Sequence, residues 1–495
     1  MATKAELLAS SLEALKEIQG KDDFLIVRSS ELSRTHLKRL VDNRFLTSII
    51  AGWYVVTDPL SAPGDTTAWY ASFWKFASAY SDSKYGDDWV LSAEQSLSIY
   101  SGSTRVPTQI VVRSTAASNN VAMLIGGNSI FNLKVEIPSK ITKQNGLNLY
   151  SLEEALIVCA PSMYQIEPLT MRTALSMIKD SSDILKILVD TGQTTRAGRL
   201  VGAFRNIGRA DIADDILSTM KRMGYDVRED DPFEEAIEVS FSPSPYATRI
   251  RLMWQKMRDV VVNNFTLTKS SLSKPEILAQ MEAKYKLDAY HSLSIEGYRV
   301  TESLIERVKS GNWQADNDDA KSALAARGYY QAFQLVKKSV EQNLGSEQCG
   351  AMIRKDMQQW HAEMFMPCVE AGIIKPSDIV GYRSHQVYIR NSMHTPLNPD
   401  ALRDAMETLY TLLEEESNAA ARAILGHFIF TYIHPFMDGN GRIGRFIMNT
   451  MLVTGGYDWL IIPVERRDEY MAALEKASVE GDILPFVEFV RSVNR

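Results

Sequence analysis

The stretch His434-Pro-Phe-Met-Asp-Gly-Asn-Gly-Arg-Ile-Gly-Arg445 decides how this chain is read. It gathers an imidazole, a carboxylate, three glycines, an amide and two guanidinium groups into twelve residues. Ahead of it, Ile424, Leu425, Phe428, Ile429 and Tyr432 recur on one face at helical spacing. Pro435 stops that helix, because proline lacks an N–H and disfavours the helical conformation in the residue before it. Behind it, Ile443, Phe446, Ile447, Thr450 and Met451 form a second, mostly apolar stripe. The spacing predicts a loop between two core helices, with Gly-Asn-Gly at the N-terminus of the second.

That place has a chemistry. The first N–H groups of a helix are unpaired and the dipole is positive there, so an anion is favoured. Gly439 and Gly441 let the backbone curve and a phosphate come close. Arg442 and Arg445 share a helix face at the same end, and guanidinium forks suit phosphate oxygens. Asp438 offers a hard oxygen, of the kind that holds Mg²⁺ together with substrate phosphates. His434, at the other lip, can take a proton near neutral pH. Gly-Asn-Gly alone is also an ordinary turn, and two arginines alone are also a solvated face. Their concentration in one loop between apolar helices points to a nucleoside-triphosphate site with a cation and a base.

The same residues resemble the signature of the Fic family, His-Pro-Phe-x-Asp/Glu-Gly-Asn-Gly-Arg-x-x-Arg, at every fixed position. Most active members transfer AMP from ATP to a Ser, Thr or Tyr hydroxyl of a protein. The resemblance implies that His434 deprotonates that hydroxyl and that Asp438 binds Mg²⁺ bridging the phosphates. It implies that Gly439, Asn440 and Gly441 line the anion hole, that Arg442 and Arg445 hold the β- and γ-phosphates, and that Phe436 is a core anchor. The branch of the family that phosphorylates its target lacks the full arginine pattern, so the residues here favour nucleotidyl transfer.

A chain of 495 residues is long enough for about three domains. Its 45% hydrophobic and 23% charged residues are ordinary for a soluble globular protein. The net charge of −7 argues against a protein that coats nucleic acid along its whole surface. Cys159, Cys349 and Cys368 are scattered, with no paired spacing, which argues against a disulfide framework and a structural zinc. The first residues lead into an amphipathic segment rather than an apolar signal core, and no apolar run is long enough for a membrane span, so a cytoplasmic location is expected.

Residues 4–18 are expected to be helical. Residues 29–45 predict a short helix, a turn, and a second helix from about Ser33 to Asn43, with Leu37, Leu40 and Val41 inward. Arg34, His36, Lys38 and Arg39 project from it, and residues 28–44 carry a local charge of +3, five Lys/Arg against two Asp/Glu. Ile49 to Val56 predicts a wing hairpin. This arrangement resembles a winged helix-turn-helix, and with the region after it the antitoxin-type regulators of the AbiEi kind. Such a helix can enter the major groove of duplex DNA; winged helices also serve as protein contacts. Residues 60–150 are expected as short strands between turns, including Gln109 to Val112 and Val121 to Ile125, and residues 151–225 as helices. The glycines of Gly202-Ala-Phe-Arg-Asn-Ile-Gly208 lack the Lys-Ser/Thr of a P-loop and are expected to serve helix packing. The acidic, then proline-containing stretch 228–245 is expected to be a linker.

Ser292-Leu-Ser-Ile-Glu296-Gly297 places Ser292 and Glu296 one turn apart on a helix that Gly297 ends. As local chemistry this is a solvated, capped helix. The Fic resemblance implies an inhibitory helix whose glutamate pairs with Arg445 and keeps it from the γ-phosphate. The motif lies 138 residues (434 − 296) before His434. The same glutamate would alternatively position water for removing AMP. Residues 381–399 suggest a hairpin, with Val387 and Ile389 alternating about Tyr388; in the family such a flap pairs with the backbone of the target. His385 and His394 are expected on that flap or the surface, and not as metal ligands. Residues 470–493 are expected to be helical.

The expected fold is mainly α: an all-helical Fic domain preceded by a winged-helix and α+β region. The expected boundaries are 1–58 winged helix, 59–150 α+β, 151–232 helical, and 246–495 catalytic, with the inhibitory helix around 285–297. The function implied is a protein adenylyltransferase using ATP and Mg²⁺, acting on a protein target, with duplex DNA and a second copy of the chain as further partners and no membrane. The competing readings are a nucleotide-sensing, DNA-binding transcription regulator, and a Fic enzyme that removes AMP or uses another nucleotide.

Overall fold

A computed structural model describes residues 3–19, 26–62, 64–237, 242, 244–266, 268–311, 320–346 and 349–493. The chain forms two compact units, Met1–Pro245 with Tyr388–Thr395, and Tyr246–Val387 with Pro396–Arg495. Helices dominate, as the mainly α class anticipates.

In the first unit, helix Lys4–Gln19 covers the expected span. Ser33 caps helix Arg34–Asp42, its hydroxyl accepting from the His36 N–H and so satisfying one unpaired donor of the first turn. Leu40 is buried, whereas Val41, expected inward, is 37% exposed. One residue on a helix turns the side chain by about 100°, enough to carry Val41 out of the face that Leu40 occupies. The strands Leu46–Ile50 and Trp53–Val56 form an antiparallel hairpin that begins earlier than expected, and Ile26–Arg28 pairs with the far side of Trp53–Val56.

Between residues 60 and 150 the expected strands Gln109–Ser114 and Asn120–Met123 are present. They belong to a sheet ordered Val90–Leu91, Gln109–Ser114, Ser129–Lys134, Asn120–Met123, whose central pair is parallel. The same region, expected as α+β, also holds a long helix that its strand and turn signals did not locate, Thr67–Tyr85. Its aromatic residues have strand propensity, but propensity is set by packing, and here Trp69, Phe73, Phe76 and Ala77 are buried at helical spacing. The Trp69 ring meets Phe73 and Phe76 edge-on, each at 5.4 Å.

Helices then fill Leu152–Val158 to Ala210–Arg222. Within helix Thr194–Asn206, Gly198 accepts a hydrogen bond from the Asp230 N–H at 3.1 Å, and a Cβ on Gly202 would collide with the Asp230 carbonyl. These glycines admit a neighbouring backbone, in keeping with a packing role. Residues 228–233 are therefore held against the helix, with Phe233 buried, rather than forming the open linker expected there. Residues 238–241 and 243 of that expected linker lie outside the described residues.

In the second unit, helices Ala320–Asn343 and Ala351–Glu370 pack so closely that a Cβ on Gly328 would collide with the Met364 carbonyl. Helices Ala419–Ile433 and Asn440–Thr454 are almost wholly buried. Gly444 lets them approach, since a Cβ there would come within 2.7 Å of His427 Nδ1. Arg467–Val479 and Leu484–Val493 supply the helical tail. Among the described residues no helix is long and apolar enough to cross a membrane.

Candidate functional site

The loop 434–439 joins the two buried helices, as the spacing requires. His434 closes the first helix in a left-handed conformation, φ 55° and ψ 59°, which costs roughly 1–2 kcal/mol for a residue with a Cβ. Three contacts hold it. Its N–H donates to the Phe430 carbonyl at 2.9 Å. Arg383 Nε donates to the His434 carbonyl at 2.8 Å, and the Arg383 N–H to the Pro435 carbonyl at 2.9 Å. The imidazole Nδ1 lies 3.2 Å from the Thr431 carbonyl, so Nδ1 carries the proton and Nε2 is left with its lone pair. Burial pushes the pKa of the ring down to about 4, which keeps it neutral at pH 7.

Gly439, φ +86°, caps the second helix, and Ile443 is the first residue whose N–H reaches back, to the Gly439 carbonyl at 3.0 Å. The amides of Asn440, Gly441 and Arg442 thus form the unpaired first turn. The Asn440 side chain is engaged within the loop, accepting from the Phe436 N–H at 3.0 Å and donating to the Phe436 carbonyl at 2.8 Å. It braces the loop, so only its backbone faces the role expected of it. Phe436 is buried, as a core anchor should be.

Asp438 remains 63% exposed, its Oδ1 accepting from the Gly439 N–H and lying 3.3 Å from Arg442 Nη2. A single exposed carboxylate beside unpaired amides fits a divalent cation that arrives on phosphates. It does not fit a resident metal: among the described residues no cluster of three or more His, Cys, Asp or Glu side chains gathers anywhere.

Arg445 is buried and its guanidinium meets the other sequence motif. Nη2 donates to Glu296 Oε1 at 2.7 Å and to the Ser292 carbonyl at 3.0 Å, while Nε donates to Ser292 Oγ at 2.9 Å. Burial alone would lower the pKa of Arg445; the Glu296 carboxylate, together with Tyr470 and Tyr329, raises it on balance. Both partners sit at the end of helix Lys274–Ile295, where Gly297, φ +86°, permits the chain to turn away. Gly441 makes room for this pair, since a Cβ there would collide with Glu296 Oε1.

Some residues that shape the site carried no local signal. His361, on helix Ala351–Glu370, stacks on Phe436 with ring centroids 3.7 Å apart, and its Nε2 lies 3.1 Å from the Asp438 carbonyl. Burial pushes its pKa down to about 4, so a neutral ring donates to that carbonyl. Asp288, one turn before Ser292, is raised to about 6 by burial and accepts from the Tyr329 hydroxyl at 2.6 Å. Arg383, inside the expected flap, carries no local sign of its bonds to the His434 and His385 carbonyls. Asn449 is engaged with the backbone of Leu460 on both its amide atoms.

The flap differs from its expectation. Residues 381–399 form no strand ladder. Arg383 ties the two limbs by donating to the His385 and Leu397 carbonyls, and Gln386 Nε2 donates to the Pro396 carbonyl at 2.7 Å. Prolines at 396 and 399 remove two N–H groups that a ladder would need. Val387 and Ile389 are half-buried and Tyr388 exposed. Tyr388–Thr395 belongs to the first unit. Within it the Val106 N–H donates to the Met393 carbonyl and the Thr395 N–H to the Thr104 carbonyl, both at 2.8 Å. His394, expected on the flap or the surface, lies in this segment and is buried, with Nδ1 2.9 Å from Thr104 Oγ1.

Of the residues expected to face DNA, Arg34 and Lys38 are exposed. His36 and Arg39 are not simply projecting: His36 Nδ1 lies 2.9 Å from Ser11 Oγ, and Arg39 Nη1 donates to the Leu7 carbonyl at 3.2 Å. The helix Lys4–Gln19 takes up both.

Residues 352–452 match the family described as Fic/DOC. Two curated relatives are each called protein adenylyltransferase Fic. That of Drosophila virilis is 31% identical over 216 residues, and that of Drosophila mojavensis 32% over 216 residues. These alignments cover 43% of this chain and 41% and 40% of the relatives, so the chain spans about two fifths of their length. A solved structure of Fic-1 from C. elegans is 19% identical, with 69% of this chain and 88% of that chain covered and a TM-score of 0.37.

Proposed function

Starting from a chain that carries a Fic domain, we propose that it is a protein adenylyltransferase, moving AMP from ATP to a Ser, Thr or Tyr hydroxyl of a protein and restrained by its own helix. One observation carries the reading. A neutral imidazole, a first turn of unpaired amides and two buried arginines share one loop, and one of those arginines is held by a carboxylate from another helix.

In this reading Gly439, Asn440 and Gly441 line the anion hole, where the first-turn amides of Asn440, Gly441 and Arg442 meet the phosphates, and the Arg442 and Arg445 side chains neutralise their outer oxygens. Asp438 would hold a Mg²⁺ that arrives with the nucleotide and supplies charge neutralisation for the phosphates. His434 Nε2 takes the proton of the target hydroxyl as its oxygen attacks the α-phosphorus, and pyrophosphate leaves. Val387, Tyr388 and Ile389 offer backbone to the target. With Glu296 on Arg445, the γ-phosphate loses a partner and ATP sits unproductively.

Residues 1–58 are assigned to a winged helix of the AbiEi kind, 59–150 and 151–232 to the regions between, and 246–495 to catalysis in the cytoplasm. The exposed Arg34 and Lys38 support contact with duplex DNA, and a second copy of the chain is a further partner. The deciding experiment incubates wild-type and Glu296→Gly protein with Mg²⁺ and each labelled nucleoside triphosphate, then reads label on protein. Transfer from ATP by the variant is expected. Nucleotide binding with no transfer by either protein would replace the enzyme with a nucleotide-sensing regulator, and transfer from another triphosphate would change the group moved.

A further inference from the structure

The Arg442 side chain is 1% exposed, yet it pairs with the exposed Asp438 at 3.3 Å, and among the described residues its buried Nε has no hydrogen-bond acceptor. What surrounds the guanidinium is aromatic. Its Cζ lies 5.2 Å from the centroid of the Tyr298 ring and 5.0 Å from that of Phe365. Ring faces attract cations, more strongly where water is excluded.

The two rings have different origins. Phe365 comes from helix Ala351–Glu370 and also covers the loop, since a Cβ on Gly439 would come within 2.7 Å of it. Tyr298 comes from just past Glu296. Its N–H donates to the Leu293 carbonyl at 3.1 Å and the Gly297 N–H to the Ser294 carbonyl at 3.0 Å. This doubly hydrogen-bonded helix end fixes Tyr298 to the helix that carries Ser292 and Glu296. One helix end therefore reaches both arginines: Ser292 and Glu296 take Arg445, and Tyr298 faces Arg442.

The two contacts differ in how they can be undone. The Glu296 side chain is 28% exposed and can swing away from Arg445 while the backbone stays. Tyr298 stays with the backbone. We infer that Tyr298 is a positioning residue for Arg442, which rests on the proposed nucleotide site: the helix end that restrains one phosphate-binding arginine also orients the other. Releasing Glu296 then opens the site without loosening Arg442, whereas losing the whole helix end would cost nucleotide affinity.

The test titrates a non-hydrolysable ATP analogue with Mg²⁺ into Glu296→Gly protein, alone and with Tyr298→Ala or Tyr298→Phe. Tyr298→Ala is expected to weaken binding about fivefold, and Tyr298→Phe, which keeps the ring, to stay near the parent. In transfer assays KM for ATP should rise more than kcat falls. With Arg442→Ala added, Tyr298→Ala should have no further effect, because the cycle isolates the pair. Unchanged affinity in Tyr298→Ala, or the same loss when Arg442 is already gone, overturns the inference. Failure of Glu296→Gly to bind the analogue at all overturns the nucleotide site itself. Binding without transfer overturns only the adenylyltransferase reading, since the affinity ratios still decide the role of Tyr298.

Discussion

Glu296 and Arg445, 149 residues apart in the chain, meet at 2.7 Å, with Ser292 holding the remaining face of the same guanidinium. A phosphate seeking Arg445 must compete with a charge-assisted hydrogen bond worth about 1.5–3 kcal/mol.

Glu296→Gly is therefore expected to raise self-modification about tenfold to a hundredfold, the range that this energy converts to. Radiolabel from ATP on purified protein measures it. Equal labelling of variant and parent, with the parent weakly active, would sink the inhibitory role.

His434→Ala is expected to cut transfer about 10²- to 10⁴-fold, while an ATP analogue still binds. The pH profile adds a sharper check. The folded pKa of His434 is lowered, so the neutral base persists as pH falls below the usual histidine range and is lost only towards about 4. On its acid side, kcat/KM of the Glu296→Gly protein should stay flat from pH 8 to about 5.5. An acid limb centred near 6.5 would show that the ring is not held neutral.

Gly328→Ala puts a methyl into the Met364 carbonyl across two packed helices. Backbone rather than a flexible side chain must yield, so the loss should reach the upper end of about 1–3 kcal/mol. Urea unfolding checks it; a midpoint equal to the parent's would mean that the helices separate freely.

Reversing the charge of Arg34 and Lys38 should abolish whatever salt-dependent affinity the chain has for duplex DNA, because each phosphate contact adds about 0.9 to the slope of log affinity against log salt. His36→Ala should matter less, since Ser11 engages that ring. If the parent binds no duplex even at low salt, the DNA contact is gone.

Legibility followed distance along the chain. The loop 434–445 was readable because its helix stops, glycines and charges are neighbours in sequence. Glu296 was readable only through resemblance: nothing local to Ser292–Gly297 points to an arginine far along the chain. His361 and Arg383 act on backbone carbonyls, and an acceptor carbonyl leaves no mark on a sequence. Thr67–Tyr85 was hidden because its aromatic residues suit a strand as well as a helix until their neighbours are known. In the flap, alternation at 387–389 resembles a strand, while two prolines and the Arg383 tether replace the ladder.

The placement of Tyr388–Thr395 has a practical side. Thr104 and Val106 are its main-chain partners, and Arg390 pairs with Asp65 at 3.2 Å. A fragment cut at residue 246 would keep the catalytic loop and leave those partners behind. Its segment Tyr388–Thr395 would lose those bonds, so under the proposed function such a truncation is expected to keep its nucleotide chemistry and lose selectivity for its target. Under the proposed function, target choice is therefore to be assayed on residues 1–495 together.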